Sequence, residues 1–276
     1  SGVRFMGSKA AVSNAVRIDV LSSLGMAPVA NADYDISLSE MANREMEANQ
    51  NLIYDELIYY LDPSNFTIGE DEFYQFADIS DGYSGQMTAE DLDAFINDMV
   101  SYSESRYGVR SNLRGMGAVF IQAAQAYNVN EVYLLSHAAL ESAWGCSALA
   151  QGSIAGYEGY YNFFGIGAYD SDPNNGGAAL AKIQKWDSPG KAILGAAEWI
   201  SKNYINSSSR SAQNTLYKMK WDVASVDGNP GGTPWHQYAT SPSWASGIAS
   251  VMASCYSFAG LNQFTCGLYY EYPRFS

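Results

Sequence analysis

The sequence predicts an α+β chain that is mainly helical, with one small β-lobe set into a helical body and a helical extension on its N-terminal side. Apolar residues recur at three- and four-residue spacings over several long segments, which is the periodicity of a buried helix face. That period breaks down between residues 152 and 186, where glycine and tyrosine crowd together, and no segment repeats. The chain has 276 residues, 47% hydrophobic and only 16% charged, enough for a sizeable core in one or two domains.

In order, Met41, Met46, Leu52, Ile53, Leu57, Ile58 and Leu61 predict one long amphipathic helix over residues 38–61. It stops at Asp62-Pro63, because proline disfavours helix in the residue before it. Residues 64–83 read as a loop with a short helix, and Thr88-Ala-Glu-Asp91 as a capping box that starts the next one. Residues 111–127 and 130–144 form a helical hairpin across Asn128-Val129. Pro173-Asn-Asn-Gly-Gly177 reads as a turn between short strands of the β-lobe. Helices resume after Ser188-Pro189 through Tyr204, then over residues 211–219 and 244–258, and a cleft is expected between body and lobe.

The formal charge is −14, and it is unevenly placed: 19 acidic and 6 basic residues through Arg110, against 10 and 9 beyond it. This divides the chain into an acidic helical region, 1–110, packing on a body, 111–276, whose β-lobe lies near 152–187. With no basic cluster, nucleic acid and anionic membranes are excluded as partners. No apolar run approaches the eighteen or so residues of a membrane span, and no signal-peptide profile opens the chain. Ser1-Gly2 reads as a cloning remnant, and signal and targeting modules are expected elsewhere. Tyrosine (21) and tryptophan (6) are plentiful, as suits carbohydrate surfaces and large cores alike. Cys255 and Cys266 are close enough for a disulfide, but with Cys146 all three are equally compatible with free thiols. Only His137 and His236 occur, without CxxC or HExxH, so no metal and no cofactor is expected.

One stretch stands out, His137-Ala-Ala-Leu-Glu141-Ser-Ala-Trp-Gly145, which sets a single carboxylic acid near the end of an otherwise apolar helix. His137 and Glu141, four apart, share a face, and Gly145 ends the helix. In apolar surroundings such a carboxyl would keep its proton and serve as a general acid; on an ordinary helix surface it would be a solvated charge.

Four segments then follow in order: Ser136-His-Ala-Ala-Leu-Glu-Ser-Ala-Trp-Gly145, Tyr161-Asn-Phe-Phe-Gly-Ile-Gly-Ala-Tyr-Asp170, Gln213-Asn-Thr-Leu-Tyr-Lys-Met-Lys-Trp221 and His236-Gln-Tyr-Ala-Thr240. Together they resemble the glucosaminidase domain of bacterial autolysins, glycoside hydrolase family 73. Leu61-Asp-Pro-Ser-Asn-Phe66 and Phe73-Tyr-Gln-Phe76 resemble the helical region preceding that domain in larger members, so the likeness covers about residues 33–256.

The resemblance implies a lysozyme-like, two-lobed fold and hydrolysis of the β-1,4 bond after N-acetylglucosamine in peptidoglycan glycan strands, by a monomer that is secreted or associated with the bacterial wall. The family's catalytic glutamate falls on Glu141, which would protonate the glycosidic oxygen. Its partner is open. Glu158, Asp170 and Asp172 lie in the expected β-lobe, and Glu158 is the first candidate for a general base. Alternatively the substrate's own 2-acetamido oxygen attacks the anomeric carbon, oriented by Tyr238 of the His-Gln-Tyr motif. Tyr161, Phe163 and Phe164 would wall the sugar, although either phenylalanine also suits interior packing, and Gln213, Asn214 and Gln237 would exchange hydrogen bonds with it. Trp221, Trp244 and His236 read as structural.

Cys146 and Ser241 depart from the family's pattern, and an exposed Cys146 thiol beside Glu141 would make the site sensitive to oxidation. A muramidase, a lytic transglycosylase or a catalytically silent wall-binding domain on the same fold remain alternatives. A Cys146 peptidase lacks the local cysteine-protease signature.

Overall fold

A computed structural model describes residues 29–168 and 171–276. The described chain forms two compact units, residues 29–78, 209–254 and 261–276 in the first, and residues 79–208 and 255–260 in the second. No helix among the described residues is long and apolar enough to cross a membrane.

In the first unit, strands β1 (Val29–Asp33) and β2 (Tyr270–Arg274) pair in parallel, with Val29 opposite Tyr270 and Asp33 opposite Arg274. This is the one sheet among the described residues. Helix α1 (Leu38–Ala48) is capped by the Ser37 hydroxyl and α2 (Tyr54–Leu61) follows it. One continuous helix over residues 38–61 is therefore a correction. Asn49 turns to φ −142° and ψ 95°, and polar Asn49-Gln-Asn51 leaves no apolar face to carry the helix across. The expected stop at Asp62-Pro63 holds, and two short 3₁₀ turns, Pro63–Asn65 and Asp71–Phe76, come next.

The core of this unit is aromatic. Phe73 and Phe76 meet at 5.1 Å, Phe76 packs against Tyr217 at 5.5 Å and Tyr272 at 5.4 Å, and the Tyr217 hydroxyl donates to the Leu61 carbonyl at 2.5 Å. Burying each such side chain contributes roughly 1.5–3 kcal/mol.

In the second unit, Thr88 and Asp91 close the expected capping box on α3 (Ala89–Met99), followed by α4 (Ser101–Tyr107). Helices α5 (Gly117–Tyr127) and α6 (Glu131–Glu141) make the hairpin across Asn128, whose φ of 52° turns the chain, with the Asn130 side chain capping α6. Helix α5 begins at Gly117 and not at residue 111, because residues 111–116 form a turn tied to the Glu104 carboxylate. After α7 (Ala148–Gln151) come α8 (Pro173–Ile183), then α9 (Pro189–Ile200) and a π-helical turn, Ser201–Ile205.

The strands expected within residues 152–187 are absent among the described residues, and Pro173-Asn-Asn-Gly-Gly177 opens helix α8 where a hairpin turn was predicted. Pro173 sits at the first helical position, where its fixed φ suits a helix start. Gly177 lets the helix close onto its neighbour, since a Cβ there would lie 3.1 Å from Leu149 Cδ1. Turn-forming residues thus serve packing.

Helix α10 is Leu216–Trp221, capped by Thr215, and starts later than the predicted residue 211. Helix α11, Trp244–Phe258, is as predicted and is divided between the units at residue 254. All three cysteines are free and buried, so no disulfide joins Cys255 to Cys266.

Candidate active site

Helix α6 is buried at every residue from Glu131 to Ala139, so its last turn is fixed from below, and Glu141 leaves that turn with its side chain 26% exposed. His137, one turn earlier, is wholly buried. Its Nδ1 lies 2.8 Å from the Tyr133 hydroxyl and its ring meets Phe164 edge to face at 5.0 Å. Nε2 lies 3.9 Å from Glu141 Oε1. Burial pushes the His137 pKa down to about 3, so the ring is neutral in any near-neutral medium. That contact is then no ion pair, and Glu141 gains no counter-charge from it.

The Asn162-Phe-Phe-Gly165 turn lies against the acid. A Cβ on Gly165, whose φ is +66°, would stand 3.2 Å from Glu141 Oε2. Asn162 holds the turn from inside, donating to the Ile166 and Gly177 carbonyls at 2.8 and 3.2 Å and accepting from the Phe164 N–H at 3.1 Å.

The chain leaving Glu141 is held as tightly. Ala143, Trp144 and Gly145 take φ of 50°, 55° and 77°, a left-handed run that costs energy at the two non-glycine positions. The Ser142 hydroxyl donates to the Ala138 carbonyl at 2.5 Å and accepts from Gly145 N–H at 2.8 Å. Ser111 donates to the Trp144 carbonyl at 2.5 Å, and the turn carrying Ser111 is clamped by the two-pronged pair of Arg114 with Glu104. Hydrogen bonds from Arg114 and Ser111 hold Glu104 down at about 2, so the clamp stays charged.

The first unit carries Tyr238, Gln213, Asn214, Gln237 and His236. Tyr238 stacks on Trp244 at 5.0 Å and 19°, and its N–H donates to the Met219 carbonyl at 2.9 Å. Gln213, 3% exposed, donates to the Lys218 and His236 carbonyls at 2.9 Å each and meets His236 Nδ1 through Oε1. Burial lowers His236 to about 4. Asn214 donates to Glu271 at 3.0 Å and accepts from Lys218 at 3.0 Å. Gln237 donates to Glu45 and to the Trp221 carbonyl. The three amides therefore meet protein partners.

Phe163 and Phe164 are buried at 1% and 0% exposure, their packing alternative, whereas Tyr161 is half-buried with its ring against Gly152. Glu158 is exposed and accepts from Gly156 N–H at 3.0 Å, and backbone hydrogen bonds hold its pKa below the usual range. Asp172 is exposed beside Asn175, and Asp170 lies outside the described residues. Cys146 is 2% exposed, with burial raising its thiol pKa, so the expected oxidation sensitivity loses its basis. Tyr133 was not singled out from sequence, and Asn162 and Gly165 stood in the second resembling segment with no role assigned to them. The i, i+4 spacing of Tyr133 to His137 was the available signal.

A family model described as mannosyl-glycoprotein endo-beta-N-acetylglucosaminidase, the glucosaminidase family, matches residues 117–257, just over half of the chain. The chain belongs to the glucosaminidase family. A Bacillus subtilis (strain 168) beta-N-acetylglucosaminidase is 38% identical over 226 residues, 82% of this chain and 23% of that protein. The chain thus spans less than a quarter of the curated relatives it matches. Staphylococcus aureus glucosaminidase B is similar in structure, with a TM-score of 0.60 and 32% identity over 91% of this chain and 94% of that one. A catalytic glutamate-to-alanine mutant of S. aureus autolysin E, in complex with the disaccharide NAG-NAM, gives a TM-score of 0.62 at 28% identity over 87% and 99%. The mainly helical α+β, lysozyme-like fold is that of these glucosaminidases.

Proposed function

We propose that the chain is an endo-β-N-acetylglucosaminidase that hydrolyses the β-1,4 bond between N-acetylglucosamine and N-acetylmuramic acid in peptidoglycan, with Glu141 as general acid. The observation that carries the reading is the seating of Glu141, at the end of a buried helix, beside a neutral His137 and against Gly165. Family membership and a relative bound to NAG-NAM support the substrate class.

Glu141 gives its proton to the glycosidic oxygen as the C1–O bond breaks, so the leaving sugar departs as an alcohol. We assign the second role to the substrate's 2-acetamido oxygen, which bonds to C1 as the leaving group departs. Water then attacks C1 as the bond from C1 to the acetamido oxygen breaks, Glu141 takes the proton from that water, and the β configuration is retained. Tyr238, fixed by Trp244 and by Met219, orients the acetamido group. Glu158 is a poor general base on this account, because its lowered pKa weakens it as a proton acceptor. Gln213, Asn214 and Gln237 shape the wall that carries Tyr238, and Tyr161 offers ring surface. We place the activity outside the cell, in a monomer.

Digestion of purified peptidoglycan, borohydride reduction and mass spectrometry test this. New reducing N-acetylglucosamine ends are expected. Reducing muramic acid ends would make the enzyme a muramidase, and anhydro ends a lytic transglycosylase. NMR of the anomeric proton during cleavage is expected to show the β product first, and an initial α product would exclude the acetamido route.

A further inference from the structure

Helix α1 (Leu38–Ala48) is some 190 residues from the His236-Gln-Tyr238 segment in sequence, yet the two are joined by a buried polar latch. The Glu45 carboxylate, 2% exposed, accepts from Gln237 Nε2, which also donates to the Trp221 carbonyl at 3.1 Å. Lys220, 1% exposed, reaches Gln237 Oε1 at 3.5 Å and places Nζ 4.3 Å from the Trp221 ring centroid. Buried charges are retained at a cost in desolvation, and a well-packed apolar pair commonly replaces such a pair with no loss of stability. A charged pair here is therefore weak as a stability device and strong as a geometric one, because its directional bonds converge on a single side chain next to Tyr238.

We infer that Glu45 is a positioning residue for catalysis, which with Lys220 fixes Gln237 and thereby the backbone that carries Tyr238. The inference rests on the role assigned above to Tyr238. A hydrogen bond to Glu45 from one side and to Lys220 from the other leaves the Gln237 amide a single orientation. With Tyr238 N–H on the Met219 carbonyl at 2.9 Å, the segment is then pinned at two successive residues. Burial pushes Glu45 up to about 7 and Lys220 down to about 8, and each charge partly offsets this for the other. Asp222 and Tyr217 are the remaining titratable groups coupled to Glu45. The acidic N-terminal region thus has a part in the reaction through one side chain.

The test combines Glu45→Met with Lys220→Met, a pair of similar volume that keeps the core filled, and compares it with Glu45→Gln, which keeps an acceptor for Gln237. The double variant is expected to hold its Tm within a few degrees while kcat on peptidoglycan falls about tenfold and KM stays within twofold. Amide exchange over residues 235–240 is expected to quicken about tenfold. Glu45→Gln should keep kcat within threefold. Unchanged kcat and unchanged exchange in the double variant would overturn the latch while leaving the proposed function standing. If the wild type released no reducing N-acetylglucosamine, the proposed function would fall and the exchange comparison would still decide the latch. Should the double variant not fold, Gln237→Met is read the same way, and wild-type kcat with wild-type exchange there overturns the proposal.

Discussion

Gly165 is the residue whose replacement reports most directly on the acid. Alanine there adds a Cβ 3.2 Å from Glu141 Oε2 at a φ of +66°, so both the carboxylate and the backbone must shift. Gly165→Ala is expected to lower kcat at least tenfold and stability by about 1 kcal/mol, measured by turnover and by denaturant unfolding. His137 gives a second residue-level prediction. Its folded pKa of about 3 lies below the ordinary value near 6.5, so below pH 6.5 the unfolded chain binds a proton that the folded chain refuses. Stability from this group is whole above pH 6.5 and is lost as pH falls toward 3. Relative to His137→Met, the wild type should lose about 1.4 kcal/mol per pH unit between pH 6 and 4, and parallel unfolding curves would refute the neutral buried ring. At this scale Glu141 stood out through the family that the four ordered motifs resemble, since a carboxylate at a helix end taken alone reads as readily as a solvated charge. The amides Gln213, Asn214 and Gln237 were not legible, because an amide's hydrogen bonds are the same whether sugar or protein supplies the partner.

Among elements, α9 (Pro189–Ile200) makes the sharpest prediction. Glycine to alanine within a helix ordinarily stabilises by up to about 1 kcal/mol. At Gly195 the added Cβ would stand 2.0 Å from Nε1 of the buried Trp186, so the ring must leave its seat. Gly195→Ala is therefore expected to destabilise by about 1–3 kcal/mol in thermal unfolding, and a stabilised variant would show that this contact is loose. Helices with an apolar stripe and a cap, such as α3 (Ala89–Met99) and α6 (Glu131–Glu141), could be read from the chain because both signals are local. The segment 152–187 misled because its glycines answer to neighbours. Gly177 in α8 (Pro173–Ile183) is small so that Leu149 can approach, a tertiary demand that resembles turn chemistry in one dimension.

For the whole molecule, the net charge of −14 carries a consequence for the proposed substrate. Peptidoglycan bears carboxylates on its stem peptides, so an acidic enzyme meets like charge, screened over about 10 Å at 0.1 M salt. Raising ionic strength from 20 to 150 mM is expected to raise kcat/KM on peptidoglycan about two- to fivefold and to leave a neutral chito-oligosaccharide unaffected. Equal salt dependence for both substrates would remove charge from the account. The mainly helical fold was visible in the sequence because periodicity is strong. The pairing of β1 (Val29–Asp33) with β2 (Tyr270–Arg274), across more than 200 residues, left no local trace.

The central claim is that Glu141 supplies the proton. Purified peptidoglycan digested in parallel by the wild type and Glu141→Gln, with reducing ends identified by mass spectrometry, tests it most directly. The wild type should release reducing N-acetylglucosamine, and the variant, with unchanged circular dichroism, should be slower by about 10²–10⁴-fold. Turnover by Glu141→Gln within tenfold of the wild type would contradict it.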